Sequence, residues 1–598
     1  MTPSVLPVAH NGSHSAGAAS TASTVEGNGS APKEVIVKSS PYWPDGLAHQ
    51  LSSPQPSLYE NLESAASRFP GKTALQYYGG AVSYARLRQE VEALAGFLER
   101  QCGVARGDRV VLYMQNSPQY VISYYAILRS NAVVVPVNPM NITAELRHII
   151  EDCGAKVALL GEELYENVRP LLGDAIKHAI VARYADYLAD STDLPLPAVL
   201  TEPGPELDVH PEFSADIAPK AVHWRAALAA AQQPSPYVAS LEDLAVIPYT
   251  SGTTAAPKGC MHTNRSATHV VAASVQWCQL SPESVFLCAM PMFHVTGMQQ
   301  CMNVAISLGS TMVVMTRWDS RCAALLIERY RIGFWIAIST MMVDFMSLPD
   351  LERFDLSSIE RLAGGGAAMP KALAQRIEAR LGVPYMEGYG LSETIAATHI
   401  NPPQRCKLQC LGIPIQDTES IVVDPTTLEV LGSRVTGEIL ISGPQVFMGY
   451  WGRPDATRDA FVEVGGIRYL RTGDLGYIDE DGYFFFVDRL KRMINVSGYK
   501  VWPAEVETLL FEHPAIQEAC VVAARDARRG ETVKAFVVLR AGADASAKQI
   551  IEWGREHMAS YKVPQIVEFV PALPRTGSGK VQWRLLQERE NESSLLAG

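Results

Sequence analysis

A chain of 598 residues that is 47 % apolar and 19 % charged has room for several domains and lies far from the low-hydrophobicity, high-charge composition of disordered chains. Its 51 Lys and Arg against 63 Asp and Glu leave a net charge of −12, which withholds the basic surface that nucleic-acid binding through phosphate neutralisation requires. The 10 cysteines stand singly apart from Cys406 and Cys410, and without a second Cys or His pair to complete a zinc site they read as reduced, small apolar residues of a cytoplasmic protein.

Residues 1–40 are dominated by Ser, Ala, Gly, Thr and His, a composition that buries too little surface to offset its ordering entropy and predicts a disordered tail. The start of this tail lacks the Lys, Arg and apolar run of a targeting signal. From Tyr42 onward, short Val/Ile/Leu runs exchange with amphipathic segments. Strands are predicted at Arg109–Tyr113, Ala132–Pro136 and Lys156–Leu160, with helices at Gln119–Arg129 and Ala144–Cys153. This alternation predicts a mostly parallel sheet covered by helices on both faces.

The Pro-rich stretch from Leu194 to Pro236 reads as a surface insertion. Beyond it, strands are predicted at Leu244–Tyr249, Val285–Met290, Ser310–Thr316, Ile332–Ile338 and Arg361–Ala363, with helices at Cys322–Arg331 and Lys371–Leu381. Ser284 to Thr316 carries no formal charge, yet Pro291, His294, Gln299, Gln300, Asn303 and Gly309 interrupt it. Buried strand and helix are therefore expected there, and no transmembrane span. After Asn401 the helical pattern stops, and Ser420–Val423, Gly437–Ile441 and Tyr483–Val487 between Gly, Asp and Pro turns predict a small antiparallel subdomain. From Ala504 helix and strand return (Glu505–Phe511, Ala519–Ala524, Val533–Leu539, Lys548–Met558, Ile566–Phe569), as in a small α+β domain.

Thr250-Ser251-Gly252-Thr253-Thr254-Ala255-Ala256-Pro257-Lys258-Gly259 follows a predicted strand. Hydroxyls, small residues and backbone N–H groups at this density suit a loop that wraps phosphate oxygens, although many Ser/Thr/Gly clusters are plain loops. It is no Walker loop, because Lys precedes Gly and the outer glycine is missing, and Gly577-Ser578-Gly579-Lys580 fails the same test at Val581. Gly388-Tyr389-Gly390-Leu391-Ser392-Glu393-Thr394 fails as a dinucleotide fingerprint because Glu393 takes the third glycine position. A Tyr between glycines can stack on a flat ring, and Glu393 and Thr394 offer a Mg2+ ligand and a phosphate hydroxyl.

Together with Arg471-Thr472-Gly473-Asp474, Asp488-Arg489-Leu490-Lys491, Ser497-Gly498-Tyr499-Lys500 and Pro574 to Lys580, these motifs occur in the order and approximate spacing of the adenylate-forming superfamily. From Tyr42 to its C-terminus the chain resembles an AMP-forming acyl-CoA synthetase. The resemblance implies an α/β fold: a large N-terminal domain of doubly wound sheets over 41–490, its residues 401–490 a small antiparallel β subdomain, followed by a mobile small α+β C-terminal domain over 491–598. It implies ATP, Mg2+ and CoA as cosubstrates and cofactor, a small carboxylic acid as substrate, and a monomer or homodimer.

By the same resemblance, Thr250, Ser251, Gly252, Thr253, Thr254 and Lys258 wrap the β- and γ-phosphates, Glu393 holds Mg2+, and Thr394 contacts the α-phosphate. Adenine lies between Gly364-Gly365-Gly366-Ala367 and the Gly388-Tyr389 turn, while Asp474, assisted by Arg489, accepts from the ribose hydroxyls. Lys580 bridges carboxylate and α-phosphate, Lys491 is the hinge, and Ser497, Gly498, Tyr499 and Lys500 line the pantetheine path. Ala255 stands where the family usually has glycine. The acyl pocket is expected to be built from His294, Val295, Gly297, Met298, Trp335, Ile336, Ser339, Gly365 and Gly390. None of these is Lys, Arg or Asp, which disfavours amino acids and diacids, whose second charge needs a buried partner. A medium- or long-chain fatty acid is the first reading. An aryl acid and the loading of a carrier protein are its alternatives within the chemistry, and a luciferase-like oxygenase or a nucleotide binder without turnover stands outside it.

Overall fold

Val110 and Leu112 pack into one apolar cluster while Val111 and Tyr113, their neighbours in the same strand, pack into another. A strand apolar at every position is thus buried on both faces, as expected inside a layered α/β arrangement. The computed structural model describes residues 40–52, 55–202, 204, 220–250, 257–366, 368–497, 499–526, 530–575 and 581–596. The expected tail, apart from Ser40, lies outside the described residues.

Two large sheets form the body. The seven-stranded sheet runs in the order His262–Thr263, Leu244–Val246, Val133–Pro136, Arg109–Tyr113, Val157–Gly161, His178–Ala182, Lys220–His223, and from Leu244–Val246 onward its neighbours pair in parallel. The nine-stranded sheet runs Ile413–Pro414, Ala396–Ile400, Tyr385–Leu391, Arg361–Gly365, Phe334–Ile336, Val285–Cys288, Thr311–Val314, Thr73–Tyr77, Gly80–Ser83, parallel in its centre and antiparallel at both edges. Helix Pro118–Arg129 is buried at every residue and joins the largest cluster together with residues of both sheets. A largely apolar helix belongs in such a position, and its Gln119 and Arg129 are held by Arg183 O and Glu92. Ser117 caps it, accepting from Tyr120 N at 3.1 Å.

The charge-free stretch resolves into strand Val285–Cys288, a π-helix Gly297–Asn303, helix Val304–Leu308 and strand Thr311–Val314. No described helix is long and apolar enough to cross a membrane. One expectation is corrected. Part of the stretch read as a surface insertion is structural, because Lys220–His223 completes the seven-stranded sheet beside His178–Ala182 and Trp224 is 1 % exposed. Four residues are too short for their alternation to stand out of a Pro-rich background.

The antiparallel sheet of Glu419–Val423, Gly437–Ser442, Phe461–Val464, Ile467–Ile478 and Phe484–Arg489 follows. The last sheet combines Ile494–Val496, Tyr499–Val501, Ile516–Asp526, Gly530–Leu539 and Ile566–Phe569, covered by helices Pro503–Leu510 and Trp583–Leu596. Asp488, at the end of the first of these sheets, joins it to the second. It is fully buried, accepts from Ala504 N at 2.6 Å, and lies 3.7 Å from Arg492, which pairs with Glu507.

Candidate active site

Strand Tyr385–Leu391 carries the centre of the site. Gly388 pairs with Gly365 on one side and with Ile400 on the other. A Cβ at Gly365 would meet Gly388 O at 2.3 Å, and one at Gly390 would meet Ala396 O at 1.6 Å, so these glycines are needed for close backbone approach. The strand opens into a cleft of about 2540 Å³ whose wall includes Lys258, His294, Gly365, Gly388, Tyr389, Glu393, Asp474, Arg489 and Lys491. Residues on both sheets, on the antiparallel subdomain and on the C-terminal segment thus meet at one place.

Asp474 is fully buried. Its Oδ2 accepts from the Tyr389 hydroxyl at 2.6 Å, and its Oδ1 lies 2.6 Å from Nε of Arg489, the residue opposite it in the strand pair. The aspartate expected at the ribose therefore also orients the tyrosine expected at the base. Glu393 follows in a short 3-10 turn, Ser392–Thr394, with its Oε1 accepting from Tyr450 at 2.8 Å. Lys258 lies at the base of a two-stranded hairpin, Tyr249–Thr250 with Lys258–Gly259, that carries the Gly/Ser/Thr loop. Tyr249 anchors this hairpin by donating to Asp152 at 2.7 Å, a carboxylate that also pairs with Arg453 at 2.6 Å.

Carboxylates and cations share the cleft wall. Burial, followed by the charges of Arg584 and Lys258, holds the Lys491 ammonium below its ordinary range, and burial and Arg489 do the same to Arg584, against Glu588. Arg584 and Lys258 repel Lys491, and Arg489, although paired with Asp474, repels Arg584. A polyanion bound among these cations offsets that repulsion.

Several expectations change. Thr394, expected at the α-phosphate, is fully buried and does not line the cleft: its Oγ1 donates to Ala396 O at 2.9 Å and accepts from Leu391 N at 2.9 Å. Ser392, two residues earlier, does line it. Trp335 is turned away from the cleft and packs against Trp318 and Phe345, whereas Phe334 and Ile336 line it. The period of two along a strand forces this division. Met298 is fully buried, and Gly297 approaches Pro291, where a Cβ would meet the carbonyl at 2.2 Å; neither lines the cleft. His294, Val295, Ile336, Ser339, Gly364, Gly365, Gly366 and Gly390 do, joined by Phe293, Thr296, Gln300, Ile338 and Met386. Gln300 was missed because in a π-helix the face presented every turn departs from the α-helical period; its Nε2 donates to Ser274 at 2.9 Å.

Ser251 to Thr254, Ala367, Gly498 and Lys580 lie outside the described residues. Arg575 and Val581, which flank the Lys580 segment, form an antiparallel bridge and both line the cleft. Ser497 and Tyr499 do not; Tyr499 is 61 % exposed and stacks on Tyr561 at 4.9 Å. The backbone of Lys500 lies in the same strand.

Among the described residues no three His, Cys, Asp or Glu side chains converge as a metal cage. A lone carboxylate such as Glu393 beside a cationic cleft fits Mg2+ shared with substrate phosphates, since this ion is commonly held by one or two carboxylates plus phosphate oxygens.

Comparison with known proteins agrees with this geometry. The family model described as AMP-binding enzyme matches residues 62–451, and that of the AMP-binding enzyme C-terminal domain matches 505–580. The long-chain-fatty-acid–CoA ligase of Bacillus subtilis (strain 168) is 35 % identical over 561 residues, 92 % of this chain and 98 % of that protein. The feruloyl-CoA synthase of an Amycolatopsis species is 32 % identical over 514 residues, covering 86 % and 94 %. Among solved structures, ATP bound MatB from Rhodopseudomonas palustris superposes with a TM-score of 0.78 at 24 % identity, covering 90 % of this chain and 99 % of that one, a likeness of fold.

Proposed function

The chain belongs to the AMP-binding enzyme family, and from that premise we propose that it joins a medium- or long-chain fatty acid to CoA, in the cytoplasm, in two steps at the cleft. In the first, the carboxylate attacks the α-phosphate of ATP, forming acyl-adenylate and releasing pyrophosphate. In the second, the CoA thiol attacks the acyl carbon and AMP leaves.

The observation that carries this reading is that one cleft presents the cations Lys258, Lys491 and Arg584 together with an apolar stretch of wall, Phe293, Val295, Phe334, Ile336, Ile338 and Met386. Lys258, with Lys580, stabilises the charge that develops on the α-phosphate and on departing pyrophosphate. Asp474 and Arg489 orient the ribose, Tyr389 and Gly364 to Gly366 hold the base, and His294 lies by the acyl carboxylate. Glu393 would hold Mg2+, which when bound neutralises phosphate charge and orients the triphosphate. Ser392, and not Thr394, offers the hydroxyl to the α-phosphate. The small domain turns about Lys491 between the steps, withdrawing Lys580 and bringing in Ser497 to Lys500.

The substrate is tested by a pyrophosphate-release screen over straight-chain acids of increasing length beside benzoate, phenylacetate and coumarate, with CoA and carrier proteins compared as thiol acceptors. We expect kcat/KM to rise with chain length into the medium or long range and thioester to form with CoA. Coumarate or benzoate equalling the best aliphatic acid would replace the fatty-acid reading by the aryl-acid one, for which the feruloyl-CoA synthase likeness speaks.

A further inference from the structure

Tyr450 lies in Gly449-Tyr450-Trp451, outside every motif assigned above. Its hydroxyl donates to Oε1 of Glu393 at 2.8 Å, and Nζ of Lys258 lies over its ring, 4.8 Å from the centroid. The chain around it is fixed against both neighbours. Trp451 N donates to Gly259 O at 2.8 Å, Met448 N to Met261 O at 3.0 Å, and Met261 N to Gly449 O at 3.0 Å, so this segment runs as a ladder beside the residues that follow Lys258. On the other side Phe447 N donates to Glu393 O at 2.8 Å. Phe447 and Tyr450 meet edge to face at 4.8 Å.

A flexible ammonium and a carboxylate facing one cleft would ordinarily collapse onto each other. Here no ion pair between Lys258 and Glu393 is formed among the described residues; a phenol ring stands between them, offering its π face to the cation and its O–H to the anion.

We propose that Tyr450 is a positioning residue of the ATP-dependent half-reaction, which keeps Lys258 and Glu393 apart and pre-aims each, one Glu393 oxygen being committed to the phenol and the other left for the metal. The proposal rests on the reading of Glu393 as the Mg2+ ligand and of Lys258 as a phosphate contact. Pre-aimed groups lose less freedom when the metal-triphosphate arrives, so tighter metal binding is the expected signature.

Two substitutions separate the functions of the side chain. Tyr450→Phe retains the ring over Lys258 and removes the donor; Tyr450→Leu removes both. Binding of Mn2+ in the presence of a non-hydrolysable ATP analogue, followed by its electron paramagnetic resonance signal, reads metal affinity without turnover. We expect Tyr450→Phe to weaken Mn2+ binding by about 10-fold, the scale of one hydrogen bond to a charged group, with AMP affinity and thermal midpoint unchanged. Tyr450→Leu is expected to weaken it further and to raise the KM for ATP as Lys258 pairs with Glu393. Unchanged Mn2+ affinity in Tyr450→Phe beside a loss in Glu393→Gln overturns the proposal and leaves the metal reading standing. Unchanged affinity in Glu393→Gln removes the metal reading and the proposal with it. A parallel loss of AMP affinity and thermal stability in Tyr450→Phe reduces the residue to a structural one and also overturns the proposal.

Discussion

Two hydroxyls, Ser392 and Thr394, flank Glu393, and the motif alone does not say which of them meets phosphate. Burial separates them. Thr394 spends its oxygen inside its own turn, bonded to Leu391 N and Ala396 O, whereas Ser392 lies on the cleft wall. Ser392→Ala should therefore lower ATP–pyrophosphate exchange by about 100-fold, the scale of one lost transition-state donor, and leave the urea midpoint in place. Thr394→Ala should leave Leu391 N, which is half-buried, without its side-chain partner, costing about 1 kcal/mol of stability while exchange stays within about threefold of the parent. The reverse assignment of exchange and stability losses would restore Thr394 to the phosphate. The residue types at the site were legible in the linear motifs, because phosphate chemistry narrows the choice to Gly, Ser, Thr, Lys and a lone Glu. Side-chain direction was not: the same spacing serves a hydroxyl facing out or one capping a turn. Tyr450 was illegible for a different reason, since its two partners come from distant segments that only the folded ladder brings together.

The strands of the body were readable to within a residue or two where apolar residues run unbroken, as at Arg109–Tyr113 and Val157–Gly161. Tyr385–Leu391 was not, because Glu387, Gly388 and Gly390 have low strand propensity, and it is the pairing on both sides that keeps them extended. Glu387 makes this element pH-sensitive. It is 5 % exposed and accepts from Gln409 N at 3.0 Å, yet burial pushes its carboxyl up to about 7. The sign follows from linkage. A carboxyl that titrates near 4.5 when unfolded and near 7 when folded contributes its full stability below the lower value and loses it progressively as pH rises to the upper one. The loss is about 3 kcal/mol from the separation of the two values. Glu387→Gln cannot ionise, so its stability relative to the parent should climb by about that amount between pH 4.5 and 7.5, from a starting deficit of about 1 kcal/mol for the weakened acceptor. The buried histidines His262 and His399, held down at about 4 and about 3 by burial, are common to both proteins and cancel in the difference. Urea denaturation at four pH values measures it, and parallel curves for the two proteins would show that Glu387 is not ionised by folding-linked titration.

At the scale of the molecule, both half-reactions need the same acyl carbon, and pyrophosphate leaves from the side where a cation must stand. In the arrangement seen, Arg575 and Val581 line the cleft while Tyr499 is largely exposed to solvent and does not. Polar contacts join the two parts: Asp488 accepts from Ala504 N and lies 3.7 Å from Arg492, which in turn pairs with Glu507. Polar contacts of this kind can be exchanged when a domain changes partners. The order of motifs carries the proposal of two functions for the small domain, but which of them would face the cleft is a property of domain orientation that no local pattern encodes. The two steps should therefore be separable by mutation. Lys580→Ala should lower adenylate formation by at least about 100-fold, as expected for a cation that acts on transition-state charge, yet leave thioester formation from supplied acyl-adenylate and CoA near the parent rate. Gly498→Trp should do the opposite, sparing ATP–pyrophosphate exchange and blocking thiol entry, because a side chain there fills the path that a residue without Cβ leaves open. Single-turnover assays of each half-reaction with both variants check the pattern. Equal losses in the two halves for either variant would mean that one fixed arrangement serves both steps, and the turn about Lys491 would have to be abandoned.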